Sequence, residues 1–322
     1  MANNLQKVDV SVLIVCYNSL KDIERCLSSF YRYLDDQVHA EVLLLDNSND
    51  GTVPLVKEKF KDVIVIDNDQ NLGFGGGNNL LAKYAKGDYI LLLNPDTELT
   101  NNSISRLLGV AKQFPDHGTW GGATFFPNGN REYTSQQFAP SVRNELIKLL
   151  GLGRFIRDAK PVSDTEGTMA VLSGAFMMVP KDIWDKVGGF DTDYFLYSED
   201  VDLCLTISQL TGKLPIMSTY ASVIHYVGQS SSNGNRTIYV YKGRMHLDRK
   251  NHGFIHNIAL AVLLWLYALT RWSAGIMLSI VGKTQKGRYL RESYGAVLAP
   301  WRWFKGYPTS RSQQTATTGS GR

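Results

Sequence analysis

The chain has 322 residues, 43% hydrophobic and 20% charged, with a formal net charge of +4 at pH 7. That balance excludes a disordered or collagen-like chain and describes a globular protein of one large domain, or a domain with appendages. The charge is too mild to indicate nucleic acid, and none is expected as a partner, although basic residues crowd the C-terminal third.

Val10–Asn18 opens with a near-continuous apolar run, which reads as a strand buried on both faces and ending at Asn18-Ser19. Leu20–Leu34 has apolar residues at helical spacing (Ile23, Leu27, Phe30, Tyr31, Leu34), with Lys21, Asp22, Glu24 and Arg25 facing water. Ala40–Leu45 predicts a second strand, ended by the turn-forming Asp46–Thr52, and a short helix follows near Val53–Phe60. Val63–Ile66 predicts a third strand, the glycine-rich Asn71–Asn79 a turn, and Asn79–Ala85 a helix. Tyr89–Leu93 is a fourth buried strand, stopped by Asn94-Pro95, because proline removes a ladder donor and restricts the residue before it. Alternating strands and helices imply a doubly wound, mainly parallel α/β sheet flanked by helices, with the strand ends on one edge. Ligand chemistry in such sheets sits outside that carboxyl edge.

Further on, Ser103–Phe114 predicts a helix, and Gly121–Phe126 and Met169–Val179 predict strands, the latter interrupted at Ser173-Gly174. Gly129–Glu166 is long and irregular, with a helical patch at Val142–Leu150. Lys181–Val187 and Glu199–Leu210 read as helices, the second with Val201, Leu203, Leu205, Ile207 and Leu210 apolar. Ile258–Thr270 is apolar without interruption, Arg271 breaks the run, and Trp272–Val281 resumes it. Thirteen residues fall short of the about 20 that cross a bilayer, and the whole stretch Phe254–Gly282 could span only with Arg271 in the hydrocarbon, so lying on the membrane and spanning it both stay open. Lys242, Arg244, Arg249 and Lys250 on one side, Lys283, Lys286, Arg288 and Arg291 on the other, with Trp265, Trp272, Trp301 and Trp303, fit helices lying on an anionic membrane surface. A buried hairpin or a dimer interface is the other reading, so a homo-oligomer stays open. The expected organisation is an α/β domain over 1–250 (halves about 1–100 and 101–250), a helical membrane-associating region over 251–307 and a disordered tail over 308–322. Cys16, Cys26 and Cys204 form no disulfide framework, and Met1–Val8 has no apolar signal core, so a reducing cytoplasm is expected.

Several positions carry chemistry. Asp96, just past the fourth strand, suits Mg²⁺ or Mn²⁺ bridging a diphosphate, and equally suits a plain turn. Asp46 stands likewise after the second strand, where a carboxylate can accept a pyrimidine imide N–H or simply form the turn. The glycines of Asn71–Asn79 permit close approach of backbone to a diphosphate or sugar, but match neither a P-loop nor a first-strand dinucleotide fingerprint. Ser198 reads as an N-cap ahead of Glu199, Asp200 and Asp202; acids there suit the helix dipole. An acid held against the aromatic Tyr194–Tyr197 segment can also be a general base with a raised pKa. His225, after strand-like Ala221–Ile224, reads alone as a structural histidine or as a ligand.

Together these stretches resemble the family 2 glycosyltransferases of the GT-A fold, in their rhamnosyltransferase-like branch, over roughly Val8 to Ser230. The resemblance is carried by Val12–Asn18, Leu45–Thr52, Asn71–Asn79, Leu93–Asp96, Gly174–Met177, Gly188–Asp191, Glu199–Leu203 and His225-x-x-Gly228-x-Ser230. It implies that Asp46 reads the base, that Asp96 and His225 hold a Mg²⁺ or Mn²⁺ ion, and that Asp200 is the general base with Glu199 beside it. Asn18, Asn71, Gly73, Gly75, Asn78 and Asn94 would complete the nucleotide-sugar site with Asp46 and Asp96. Two positions depart from the pattern: Asn94 replaces the first Asp of D-x-D, and Thr206 stands where an Arg often follows. The branch implies an inverting transferase using dTDP-L-rhamnose, on the cytoplasmic face of the membrane, with a polyprenyl-diphosphate-linked glycan as acceptor. UDP-galactofuranose or another nucleotide sugar is the alternative donor, and a non-catalytic nucleotide- or glycan-binding module the rival class. A nucleotidyltransferase would need a basic motif near the first strand, and Tyr17–Leu20 has none.

Overall fold

The structure, a computed structural model, describes residues 7–132, 141–153, 160–161, 165–226 and 233–307. The 308–322 tail and Gly228 and Ser230 of the histidine motif lie outside the described residues. The chain divides into two compact units. The first comprises residues 1–138, 157–191 and 200–230, and the second residues 139–156, 192–199 and 231–322.

The first unit is a single sheet. Strands β1 (Val10–Cys16), β2 (Ala40–Asp46), β3 (Ile64–Val65) and β4 (Tyr89–Leu93) pair in parallel in the order β3-β2-β1-β4. Every residue of β1 is buried, as its unbroken apolar sequence requires. Val10, Val12, Ile14 and Cys16 pack on the face covered by α1 (Ile23–Tyr33), where Ile23, Cys26, Leu27 and Phe30 make the buried stripe. Each such side chain contributes about 1.5–3 kcal/mol by leaving water. Helices α2 (Thr52–Lys59) and α4 (Ser103–Gln113) follow the expected spans closely.

The second half of the sheet mixes directions. β9 (Phe176–Pro180) runs antiparallel to both β4 and β6 (Trp120–Phe125). β10 (Ile216–His225) pairs parallel with β6 and antiparallel with β5 (Thr97–Leu99) and β8 (Glu166–Thr168), and β7 (Lys160–Pro161) closes that edge. Helices α6 (Lys181–Val187) and α7 (Glu199–Thr211) complete this half.

Three local expectations are corrected here. Val63 of the third strand stays outside the ladder: Ile64 and Val65 are in register with β2, and Ile66 N donates to Leu44 O (2.8 Å), at the sheet's edge. Of Met169–Val179, the ladder takes only the segment from Phe176, so Met169–Ala175 is irregular chain, buried except at the half-buried Ala170 and Ser173. The glycine-rich stretch is itself helical: α3 runs Gly73–Ala82, and does not begin at Asn79. Glycine disfavours helix by about 1 kcal/mol, so tertiary contacts must outweigh it. Asn47 accepts from Leu72 N (3.0 Å) and donates to Gly73 O (2.9 Å), and Asn71 Oδ1 accepts from Gly73 N (2.9 Å). A Cβ at Gly77 would stand 2.9 Å from both methyls of Val15, so only glycine lets α3 lie this close to β1. At the C-terminal half of α3, Asn79 exchanges two hydrogen bonds with the Phe190 backbone, docking the Gly188–Asp191 turn.

The second unit is helical. It contains α5 (Val142–Leu149), α8 (Asn233–Asn251), α9 (Phe254–Ile280) and α10 (Thr284–Gly295). Ser141 caps α5 by accepting from Asn144 N at 3.1 Å. Ile238, Tyr241 and Met245 of α8 meet Leu260, Ala261, Leu264 and Ala268 of α9, with Val297 and Trp303, in one apolar core. A linear boundary near 250 would assign α8 to the sheet; its apolar side packs in this helical core instead.

Arg271 interrupts the apolar run but not the helix. It lies exposed on the outside of one 27-residue helix, 4.8 Å over the Tyr267 ring, because a long side chain can leave a helix surface without disturbing the backbone ladder. At about 40 Å, α9 is long and apolar enough to cross a membrane by length and composition. It crosses α10 closely: a Cβ on Gly275 would meet Gly287 O at 2.9 Å. One stripe of α9 faces the core, while Phe254, Ile255, Ile258, Val262, Met277 and Ile280 are exposed. Trp303, expected at an interface, is buried and donates to Val297 O (2.7 Å), whereas Trp301 is exposed.

Candidate active site

The loops at the carboxyl ends of β1 and β2 are tied together. Cys16 and Asp46 are in register, so the chain leaves both strands side by side. Asn18 has φ +53°, and its N–H donates to Ser48 Oγ (2.9 Å). Asp46 Oδ1 accepts from the N–H (3.0 Å) and hydroxyl (2.7 Å) of Ser48. Burial raises the Asp46 carboxyl above its ordinary range, against the pull of those hydrogen bonds. Asp50, which sequence reasoning left as a turn residue, bridges the two loops by accepting from Leu20 N (3.0 Å) and Thr52 N (3.1 Å).

Asn94 leaves β4 with its N–H on Ala175 O (3.0 Å), while its carbonyl holds the Thr97 hydroxyl (2.7 Å) and so starts β5. Pairing of β5 with β10 then carries His225 to Asp96. Tyr226 N donates to Asp96 O at 2.9 Å, and His225 Nε2 lies 3.2 Å from Asp96 Oδ1. The other ring nitrogen, Nδ1, lies 2.8 Å from Glu132 Oε2. All three side chains are largely buried. Burial alone would lower the imidazole pKa; the two carboxylates outweigh it and push it up to about 9.

Glu132 was not found from sequence. It follows β6 within the long irregular stretch, and no local pattern distinguishes it from a surface acid. Asn94 Oδ1 is buried with no hydrogen-bond partner among the described residues. An orphaned amide oxygen, a carboxylate and an imidazole oriented by a second carboxylate suit a hard divalent cation. Cis ligands at about 2.1 Å lie about 3 Å apart, which is close to the Asp96–His225 separation.

Asp200 belongs to the same unit. Its Oδ2 accepts from Gly174 N (3.2 Å) and its Oδ1 from Val201 N (2.8 Å). Gly174 is backed by the Phe74 ring of α3, which a Cβ would meet at 2.9 Å, and Ala175 next to it is the partner of Asn94. Desolvation beside this apolar wall raises the Asp200 pKa, outweighing its backbone hydrogen bonds. Glu199 is the buried first residue of α7. Tyr197 and Ser198, ahead of it, have φ +67° and +76°, a left-handed conformation that costs non-glycine residues about 1–3 kcal/mol each. Ser198 therefore lacks the extended backbone typical of an N-cap.

The remaining expected residues stand around α3. Asn71 precedes the helix, Gly73 begins it with φ +70°, and Gly75 and Asn78 are buried within it. Asn78 Nδ2 is bonded to Phe74 O (3.0 Å).

Comparisons with known proteins bear on the fold and the family. An N-acetylglucosaminyl-diphospho-decaprenol L-rhamnosyltransferase from Mycobacterium tuberculosis is 28% identical over 242 residues, covering 68% of this chain and 76% of that protein. The mannosyltransferase PcManGT from Pyrobaculum calidifontis, solved with GDP-Man and Mn²⁺, has a similar fold, with TM-score 0.59 at 15% identity, covering 94% of this chain and 84% of that one. A crystal structure of GalNAc-T7 with UDP, GalNAc and Mn²⁺ also has TM-score 0.59 at 16% identity, over 76% of this chain but only 48% of that one. The family model of Glycosyl transferase family 2 matches residues 11–184, the stretch that runs from β1 through β9 into α6. That match covers more than half of the chain, and the chain belongs to the family 2 glycosyltransferases.

Proposed function

We propose that the protein is an inverting, divalent-metal-dependent transferase that moves L-rhamnose from dTDP-L-rhamnose to a polyprenyl-diphosphate-linked glycan in cell-surface polysaccharide synthesis. The observation that carries this reading is the meeting of Asp96 with His225 at the carboxyl edge of the sheet, close in the chain to the orphaned Asn94 amide. The mycobacterial relative's name specifies both an L-rhamnosyl group and a decaprenol-linked acceptor.

In this reading Asp96, His225 and Asn94 hold Mg²⁺ or Mn²⁺, and Glu132 fixes the ring of His225. When bound, the ion supplies charge neutralisation to the departing diphosphate. Asp46, whose Oδ1 is engaged by Ser48, accepts the thymine imide N–H, and Asn18, Asn71 and Gly73 line the nucleotide. Asp200 takes the proton of the acceptor hydroxyl as that oxygen bonds to the anomeric carbon and the bond to the diphosphate breaks. A carboxyl with a raised pKa receives a proton more readily than an ordinary one. Glu199, beside it, orients the site.

The second unit supports a placement at the membrane. The exposed apolar stripe of α9 lies in the cytoplasmic leaflet's interface, with the exposed Lys283, Lys286, Arg288 and Arg291 on the phosphates.

A donor screen tests the reading. Hydrolysis of dTDP-L-rhamnose should require Mg²⁺ or Mn²⁺ and exceed that of UDP-galactofuranose and GDP-mannose. Asp96→Ala and His225→Ala should each weaken Mn²⁺-dependent binding of the nucleoside diphosphate while the fold is kept. Equal affinity with and without metal in both variants removes them from the site. Nucleotide binding without any turnover would favour the non-catalytic module.

A further inference from the structure

A second cluster of ligating side chains stands in the helical unit, where no step of the proposed reaction uses it. Helix α8 ends at Asn251, and Gly253, extended at φ −78° and ψ 171°, starts α9. The chain turns there within two residues. Asp248 is in the last turn of α8, His252 is in the turn, and His256 is in the first turn of α9. The spacing of four residues between successive members brings all three to the inside of one elbow.

The Asp248 carboxylate is buried, with 4% of its side chain exposed. Its Oδ1 lies 3.1 Å from His252 Nδ1 and 2.8 Å from His256 Nδ1, and the three ligand atoms all fall within 4.8 Å of one another. The imidazoles are stacked, with centroids 3.9 Å apart and planes 15° apart, so one ring must turn about its side-chain bonds for both nitrogens to face one ion. Two further observations point to a ligand. Among the described residues His256 Nδ1 is buried without a hydrogen bond of good geometry, although it lies 2.8 Å from the carboxylate oxygen. Asn257 Nδ2 donates to the other carboxylate oxygen, Oδ2, at 2.6 Å, which orients Asp248 and leaves Oδ1 for the two rings.

We propose that Asp248, His252 and His256 bind a borderline d-block dication of the Zn²⁺ class, clasping the end of α8 to the start of α9. Ligands at about 2.0–2.1 Å in a tetrahedron stand about 3.3 Å apart, near both measured separations. Two imidazoles and one carboxylate suit Zn²⁺ or Co²⁺ better than Mg²⁺, which takes oxygen. The fourth position is left to water, since His252 and His256 are both partly exposed. The site is chemically distinct from Asp96 and His225, where oxygen donors outnumber nitrogen, and it does not depend on the reading of that site.

Full-length protein in detergent, stripped with chelator and reloaded, should retain one equivalent of Zn²⁺ after dialysis, and Co²⁺ should give the intense visible bands of a tetrahedral ion. The bound Zn²⁺ should resist excess Mn²⁺ and persist in Asp96→Ala. It should weaken by at least about tenfold in His252→Ala, His256→Ala and Asp248→Asn; the partly exposed histidines guard against a folding artefact, which circular dichroism checks. Zn²⁺ uptake unchanged in all three variants, no uptake at all, or uptake lost in Asp96→Ala and kept in the elbow variants would each overturn the proposal.

Discussion

The two units use charge in opposite ways. At the sheet edge, Asp46 and Asp96 stand where they do because a strand ended there, so backbone topology positions them. In the helical unit, similar-looking cations are sorted by packing. Arg244 is 3.2 Å from buried Glu145, which Lys148 also meets at 2.9 Å, and Arg249 donates to Phe304 O and lies over that ring. Lys283, Lys286, Arg288 and Arg291 remain exposed. In the proposed membrane placement the charge that faces lipid comes from the α10 side, while part of the α8 side is spent on internal structure. Position along a strand predicts a role; position along a helix does so only once its neighbours are known.

The largest test of this contrast is Asp200→Asn, which keeps size but removes the proton acceptor. Turnover should fall by about 10²–10⁴-fold with donor affinity little changed, and the acid limb of the wild-type kcat/KM profile should lie above 3.8, the ordinary Asp value. If Glu199→Gln is dead and Asp200→Asn active, their roles are exchanged.

Next comes the membrane. Replacing Lys286, Arg288 and Arg291 by Gln should weaken binding to anionic vesicles by about 100-fold at low salt, at roughly 1 kcal/mol for each charge. Replacing Arg244 should change stability and leave vesicle binding nearly unaltered. Equal loss from both would mean that the packed and exposed cations act alike.

Glu132→Gln sharpens the comparison at the sheet edge. If the glutamate orients His225, Mn²⁺ affinity measured by calorimetry should drop by about 10–100-fold without loss of fold. An unchanged affinity would make the Glu132–His225 contact purely structural.

Smaller effects concern packing. Gly77→Ala should destabilise the first unit by about 1–3 kcal/mol, since Val15 stands in the way. Gly109→Ala, in α4 with nothing within 4 Å of the new methyl, should stabilise by about 0.4–1 kcal/mol. Thermal melts of both variants separate close approach from mere helix propensity. In the helical unit, burial would raise the Glu145 carboxyl, but Arg244 and Lys148 more than offset it and leave its pKa lowered. A lowered folded pKa stabilises above the unfolded value of 4.5 and is lost as pH falls through the folded one. Glu145→Gln should remove that part of the acid sensitivity.

What the sequence determined by itself was local in origin. Apolar runs such as Val10–Cys16 and Tyr89–Leu93, closed by Asn18 and by Asn94-Pro95, set the parallel half of the sheet and its functional edge. Period and turn chemistry need only near neighbours, so they can be read in one dimension. The helix in Gly73–Ala82 could not be read this way, because its stability comes from Asn47 and Val15, far away in the chain. The same holds for Glu132 beside His225, for Arg244 on Glu145 and for Arg271 outside an unbroken α9. In each case the deciding partner is a residue or a surface that exists only after the chain has folded, and burial turns an ordinary side chain into an oriented one.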